Sequence, residues 1–290
     1  MTRPTPDARP IRFDGQIAVV TGAGRGLGAA YARLLAGLGA AVVVHDAGVG
    51  LDGSGSDTAP ADGVVRDIEQ GGGTAAACYE DLADEGASER VIAFALERFG
   101  RIDVLISNAG LLGEAPIADL EPETWRRMMK VNVEAPFLLC RAAIPRMERQ
   151  GYGRVVLTTS GRALYVNAAL PHLTAYSVGK GAQLGLMIGL AAEGEPLGIR
   201  VNAIPPVATT RMTRLPPPPG EALGPELVAQ GVGFLASAAC SFSGTVLRAA
   251  GGRFSMARYD LGNDVDLGPV PATPDEVLAR WAEIHGPSGS

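Results

Sequence analysis

Short apolar runs alternate with longer stretches of helical periodicity along most of the chain. Ile17–Thr21, Ala41–His45, Ala75–Cys78, Val104–Ser107, Val155–Thr159, Ile199–Ile204 and Thr245–Leu247 read as strands. They are apolar on both faces, as a sheet covered by helices on each side requires. Between them lie helical stretches at Gly26–Leu38, Ala61–Gln70, Ser88–Phe99, Glu123–Gln150, Thr174–Glu195 and Glu226–Ala236. Alternation this regular predicts a single α/β domain, a doubly wound parallel sheet with helices on both faces.

Two segments interrupt the rhythm. Ala47–Pro60 is a glycine-rich polar loop after the second strand. Arg211–Pro225 contains PPPPG and can be neither helix nor central strand. It is either a solvated loop or a lid beside a pocket, since it follows the carboxyl end of a strand, where such sheets bind ligands. Residues 1–14 read as an N-terminal arm, 15–258 as the domain, and 259–290 as a polar C-terminal extension with a helical piece near Asp275–Ile284. The N-terminus has no apolar signal-peptide core, and no apolar stretch is long enough to span a bilayer. The expectation is a cytoplasmic protein without a membrane partner.

Composition narrows the function classes. Hydrophobic residues at 47% and charged residues at 19% exclude a disordered chain. A net charge of −6 argues against a general nucleic-acid binder, which needs a basic face. Cys78, Cys140 and Cys240 are far apart and odd in number, which reads as reduced core thiols. His45, His172 and His285 make no zinc spacing, so no metal is expected.

The first strand runs straight into TGAGRGLG, residues 21–28, and then into a helix. Such a turn lets backbone N–H groups and the helix dipole hold a pyrophosphate. Gly22 permits the turn, Gly26 lets a ligand approach, and Gly28 lets helix and strand pack closely. Asp46 ends the second strand, twenty residues after Gly26. An acid there accepts hydrogen bonds from the adenosine ribose and repels a 2′-phosphate. Arg25 pulls the other way, because a base beside the phosphate loop favours NADP. Asp46 weighs more heavily, since its charge would lie at the 2′ position in a partly desolvated site.

Tyr176 and Lys180 form Y-S-V-G-K, and their i, i+4 spacing puts both on one helix face. A lysine ammonium close to a phenol lowers its pKa from about 10, which yields an acid/base usable near neutral pH. Ser160 ends the strand in VVLTTSG, at the carboxyl edge of the sheet, a position that also suits a cap. Asn108, in SNAG, could line the same crevice. Asn132 lies inside the apolar helical run KVNVEAPF, where its amide needs a partner and so points to a buried polar role.

Together these residues resemble the short-chain dehydrogenase/reductase family. The likeness runs from Gly15 to about Gly252, with TGAGRGLG, SNAG, KVN, TTS and YSVGK in the family's order. The resemblance implies a Rossmann-type sheet of about seven strands and a bound nicotinamide dinucleotide, NAD in preference to NADP. It assigns Tyr176 as proton donor or acceptor. Lys180 would lower the Tyr176 pKa and hold the nicotinamide ribose, Ser160 would polarise the substrate oxygen, and Asn132 would support a proton-relay water. The cofactor would lie against Gly22, Arg25, Gly26, Leu27, Gly28 and Asp46. Asp81 and Leu82 would meet the adenine, and Asn108, Ala109 and Gly110 would line the adenosine side. Pro206, Val207 and Thr209 fall on the nicotinamide loop. FDGQIAVVTGAGRGLG, VVVHDAGVGLDGSGS, NAIPPVATTRMT and AAGGRFSMARY are similar to the dehydrogenase domain of peroxisomal-type multifunctional enzymes. That closer likeness implies oxidation of a (3R)-hydroxyacyl thioester.

Three places depart from the family pattern. Fifteen residues separate Ser160 from Tyr176, about three more than usual, and Ala163 holds the usual offset. An insertion near Ala168–His172 accounts for this and keeps Ser160 as the candidate. The usual Pro-Gly is Pro206-Val207, and the lid is short and proline-rich. A specialised polyketide, steroid or cyclic-alcohol substrate therefore stands beside the acyl thioester. A catalytically silent NAD-binding regulator is a further alternative, opposed by the presence of Ser, Tyr, Lys and Asn together. Gly181, Gly185 and Gly189 form an i, i+4, i+8 stripe on a helix apolar nearly all round. The stripe either packs on the chain's own sheet or meets a second copy. The family resemblance favours a homodimer or homotetramer built on the helices Glu123–Gln150 and Thr174–Glu195.

Overall fold

The structure, a computed structural model, describes residues 10–50, 53–210, 222–258 and 263–286. Most of the proline-rich segment, residues 211–221, and residues 1–9 of the N-terminal arm lie outside this set. The chain divides into two compact units, Met1–Met256 and Ala257–Ser290.

In the first unit the strands are β1 Ile17–Thr21, β2 Ala41–His45, β3 Thr74–Cys78, β4 Val104–Ser107, β5 Gly153–Thr158, β6 Ile199–Ile204, β7 Pro206–Val207, β8 Val246–Ala250 and β9 Arg253–Ala257. The helices are α1 Gly26–Gly37, α2 Ala59–Gln70, α3 Ala87–Phe99, α4 Pro122–Met129, α5 Ala135–Gln150, α6 Gly161–Leu164, α7 Thr174–Gly194 and α8 Pro225–Ala236. The sheet order is β3-β2-β1-β4-β5-β6-β8-β7, with β9 paired to β8. Pairing from β3 across to β8 is parallel throughout. All five residues of β1 and all six of β5 are buried, which is why these runs are apolar without alternation. On one face Ala18, Val20, Val42 and Val44 share a core with Tyr31 and Leu35 of α1, Val64 of α2 and Val232 of α8. Helices α3, α5 and α7 cover the other face. Strand order reverses between β1 and β4, and a crevice opens there at the carboxyl ends.

The parallel, doubly wound sheet is present as the sequence predicts, but with nine strands among the described residues instead of about seven. The two additions have separate causes. β7 continues β6 beyond Pro205, and both pair with β8 in one register, Ala203 with Val246 and Pro206 with Ala249. β9 returns through Gly251-Gly252, both at positive φ, to pair with β8. That double-positive turn is the geometry two-residue hairpins prefer.

The expected helix Glu123–Gln150 is also modified. A π turn over Lys130–Glu134 separates α4 from α5. Pro136 has no N–H, so the Asn132 carbonyl loses its ordinary helical donor. Gln183 Nε2 donates to that carbonyl instead, at 2.9 Å.

The second unit holds α9 Pro274–Ala279 and α10 Trp281–His285, where the sequence predicts one helical piece. A capping box fixes the start of α9. Thr273 Oγ1 accepts from Glu276 N at 3.3 Å, and Glu276 Oε2 accepts from Thr273 N at 2.8 Å. No helix among the described residues is long and apolar enough to cross a membrane. Cys78, Cys140 and Cys240 are buried free thiols.

Candidate active site

The crevice at the strand reversal is a cavity walled by the glycine-rich turn on one side and the β4 end on the other. Gly22, Arg25, Gly26, Leu27, Gly28, Asp46, Asp81, Leu82, Asn108, Ala109 and Gly110 all line it. A Cβ on Gly28 would strike the Gly22 carbonyl oxygen and come within 2.8 Å of Asn108 Nδ2. Helix α1 has no side-chain cap, so its first-turn N–H groups stay open toward the cavity.

Asn108 and Thr21 lock this geometry. Asn108 Nδ2 donates to the carbonyl oxygens of Thr21 at 2.9 Å and Gly22 at 3.2 Å. Thr21 Oγ1 accepts from Asn108 N and Ala109 N, each at 3.0 Å. Asp46 accepts from Gly24 N at Oδ2 and from Gly48 N at Oδ1, both at 2.8 Å. Each carboxylate oxygen keeps a lone pair for a further donor. Arg25 is paired with Asp57 at 3.3 Å, so its charge is partly answered within the protein.

The second cluster lies where β5 meets α7, and Thr158 and Thr159 grip that helix. Lys180 Nζ donates to the Thr158 carbonyl at 2.8 Å. Thr159 Oγ1 donates to the Lys180 carbonyl at 2.7 Å. Ser160 Oγ caps α6 by accepting from Arg162 N at 3.3 Å. Asn132 is fully buried in the π turn. Its Oδ1 accepts from Leu111 N at 2.8 Å, and its Nδ2 donates to the Leu111 carbonyl at 3.0 Å. The two clusters meet at Gly110, where a Cβ would lie 3.1 Å from both Lys180 Nζ and Asn132 Oδ1.

Electrostatics here differ from the sequence expectation. Burial without a counter-ion pushes the Lys180 ammonium down to about 8. The Tyr176 phenol is pushed up by burial, not lowered, with Ser160 and the Arg162 charge partly offsetting the rise. Lys180 directs its ammonium at the Thr158 carbonyl, and the Arg162 charge acts on the phenol.

Pro206 and Val207 form β7, and exposed Thr209 donates its N–H to the Leu223 carbonyl at 2.7 Å. The cavity instead takes Thr210 from this segment, facing Gly26. It also takes His45, Val49 and Gly50. His45 Nε2 meets the Glu80 carbonyl at 2.8 Å, so that nitrogen carries the proton, and burial pushes its pKa down. Thr210 was foreshadowed only by its place after the sixth strand, and His45 by its place before Asp46. The stretch between Ser160 and Tyr176 holds α6 and a short 3₁₀ turn, Val166–Ala168, with Val166 95% exposed.

Comparison with known proteins agrees with this geometry. The short chain dehydrogenase family model matches residues 16–216, and the chain belongs to that family. It is 38% identical over 281 residues to mouse peroxisomal multifunctional enzyme type 2, covering 96% of this chain and 37% of that enzyme. Among solved structures, a short chain dehydrogenase from Mycobacterium avium superposes with a TM-score of 0.81 at 35% identity, over 94% of this chain and 95% of that one. A 3-oxoacyl (acyl-carrier-protein) reductase from Agrobacterium tumefaciens, with NADP bound, gives 0.73 at 29% identity, over 83% and 95%. The protein is thus an oxidoreductase of the short-chain dehydrogenase/reductase family.

Proposed function

We propose that the chain interconverts a secondary alcohol and a ketone, using NAD as hydride carrier and Tyr176 as acid/base. The observation that carries this is the junction at Gly110, which lines the glycine-walled cavity and whose Cβ would touch both Lys180 Nζ and Asn132 Oδ1. The bare backbone at Gly22, Gly26 and Gly28 and the uncapped α1 fit a pyrophosphate. When bound, the nicotinamide exchanges a hydride with the substrate carbon. Tyr176 gives a proton to the substrate oxygen in reduction and takes one in oxidation. Ser160 Oγ accepts from Arg162 N and hydrogen-bonds the Tyr176 phenol, which would set both hydroxyls to meet one substrate oxygen. Lys180 would hold the nicotinamide ribose. Thr158 Oγ1 and Gln183 Oε1 are buried without partners among the described residues, beside Lys180 and Asn132, which supports a relay water there.

On substrate, likeness to the multifunctional enzymes supports a 3-hydroxyacyl thioester. The longer stretch between Ser160 and Tyr176, which carries the exposed Val166, supports the second reading, a specialised polyketide, steroid or cyclic-alcohol substrate. Following NADH formation from members of each class decides between them. No turnover with any class, alongside intact NAD binding, would leave the silent binding protein.

Cofactor choice follows from charge. NADH is expected to give a higher kcat/KM than NADPH, because Asp46, which lines the cavity, would face the 2′ position, while Asp57 pairs with Arg25. Asp46→Ala should narrow the ratio by about tenfold or more, since like charges near a protein surface repel by a few kcal/mol. A wild-type preference for NADPH sinks the assignment and promotes Arg25.

The chain is also expected to assemble as a homodimer or homotetramer through α5 and α7. A Cβ on Gly181, Gly185 or Gly189 would meet nothing within 4 Å, so the stripe does not pack on the chain's own sheet. Phe137 on α5 and Ile188 on α7 are 49% and 60% exposed. Gly185→Arg should fold, since the chain itself has room, yet block close helix approach. Light scattering should give a multiple of 29.8 kDa for the wild type and a smaller species for the variant. A monomeric wild type at micromolar concentration rejects the assembly.

A further inference from the structure

The adenosine end of the cavity is bounded by two segments distant in sequence, and one side chain joins them. Arg127 Nη2 donates to the Gly53 carbonyl oxygen at 2.5 Å and to Asp81 Oδ2 at 2.9 Å. Asp81 Oδ1 meanwhile accepts from Ala83 N at 2.9 Å. Both oxygens of this acid are therefore held, and the carboxylate cannot turn without breaking a bond. Gly53 is buried although it lies in a loop, and a Cβ there would collide with the Arg127 guanidinium. Gly50 N donates to the Ser54 carbonyl at 2.7 Å, and Gly53 N to the Gly50 carbonyl at 3.1 Å. These bonds link Gly53 directly to Gly50, which lines the cavity beside Val49. Val49 in turn packs against the cluster containing Leu111 and Met128.

As a partly exposed ion pair, Arg127–Asp81 would add little to folding. Its consequence is positional. Gly50 and Val49 on one wall, and Asp81 and Leu82 on the other, are set at a fixed separation before any ligand arrives. Preset walls spare a ligand the ordering cost of assembling its own site. Neighbouring Arg126 is exposed, and its ion pair among the described residues is with Glu123, at 3.5 Å.

We propose that Arg127 is a positioning residue for the adenosine half of a dinucleotide, joining Gly53 to Asp81 so that both walls are preformed. This rests on the dinucleotide binding proposed above. The test is fluorescence titration with NADH and competition with AMP and with nicotinamide mononucleotide. Arg127→Met is expected to raise the dissociation constants of NADH and AMP by about five- to tenfold, the loss of hydrogen bonds to a charged donor. Nicotinamide mononucleotide binding and kcat at saturating NADH should stay within about twofold, because only cofactor positioning has changed. Arg127→Lys should recover part of the loss, and Arg126→Met, with the same change in charge, should bind as the wild type does. Unchanged AMP affinity in Arg127→Met overturns the inference. So does equal weakening in Arg126→Met, or equal loss of both half-ligands in Arg127→Met and Arg127→Lys. A wild type that binds neither NADH nor AMP overturns the dinucleotide reading itself.

Discussion

Tyr176→Phe is expected to lower kcat by about a thousandfold, within the range that one positioned acid/base supplies. NADH affinity should hardly change, because the ring still packs against the cluster of Leu111, Met128 and Val131 and only the hydroxyl is lost. The pH profile gives the sharper readout. Burial raises the phenol pKa, so the proton stays on Tyr176 through neutral pH. Reduction, which consumes that proton, should hold at neutral pH and fall as pH rises through the raised value. Oxidation, which needs the phenolate, should climb over the same interval. Both slopes should vanish in Tyr176→Phe. A variant that keeps the wild-type slope, or that loses NADH binding in step with turnover, would show that the tyrosine is structural.

The elements most legible in the sequence were the continuous apolar runs. β1, β2, β4 and β6 fall at the boundaries those runs predict, and every position in them is buried except one each in β2 and β6. β5, buried throughout, starts two residues early because Gly153 and Arg154 interrupt the apolar signal. β9 went unread because Arg253, Phe254, Ser255 and Met256 are exposed and carry no core-facing run. Its signal was the Gly251-Gly252 pair, a turn cue rather than a hydrophobic one. The break in Glu123–Gln150 was written in Pro136, four residues after Asn132. Helical periodicity does not register it, since the apolar face continues through the π turn.

The site was legible to the extent that it is made of backbone. TGAGRGLG, TTS and SNAG specify turns and carbonyl contacts, and the glycine cradle and β5 grip follow from them. Charge was harder to read. The i, i+4 spacing of Tyr176 and Lys180 puts them on one face, but the ammonium turns to the Thr158 carbonyl, an acceptor from another strand. Arg162 and Arg127 act through tertiary contacts that no local pattern encodes.

Gly28→Ala is the smallest substitution expected to remove dinucleotide binding. Its Cβ would overlap the Gly22 carbonyl oxygen, a backbone atom that no side-chain rotation can clear. Asn108 Nδ2 stands on the other side at 2.8 Å and is itself bonded to the Thr21 and Gly22 carbonyls. Either the glycine-rich turn lifts away from α1, or α1 moves off β1. Forced overpacking of this kind lowers stability by about 1–3 kcal/mol. In both cases the N–H groups that would hold a pyrophosphate lose their common focus. Losing two such bonds to an anion corresponds to a weakening of about a hundredfold or more. The expected result is a folded variant with a lower melting temperature, normal circular dichroism, and no saturable NADH titration in the range where the wild type saturates. Gly37→Ala is the matched control, since a Cβ at Gly37 meets nothing within 4 Å and sits at the far end of the same helix. It should melt no lower than the wild type and bind NADH normally. Equal affinities in the two variants would show that the close approach of α1 to the turn is not what builds the phosphate cradle.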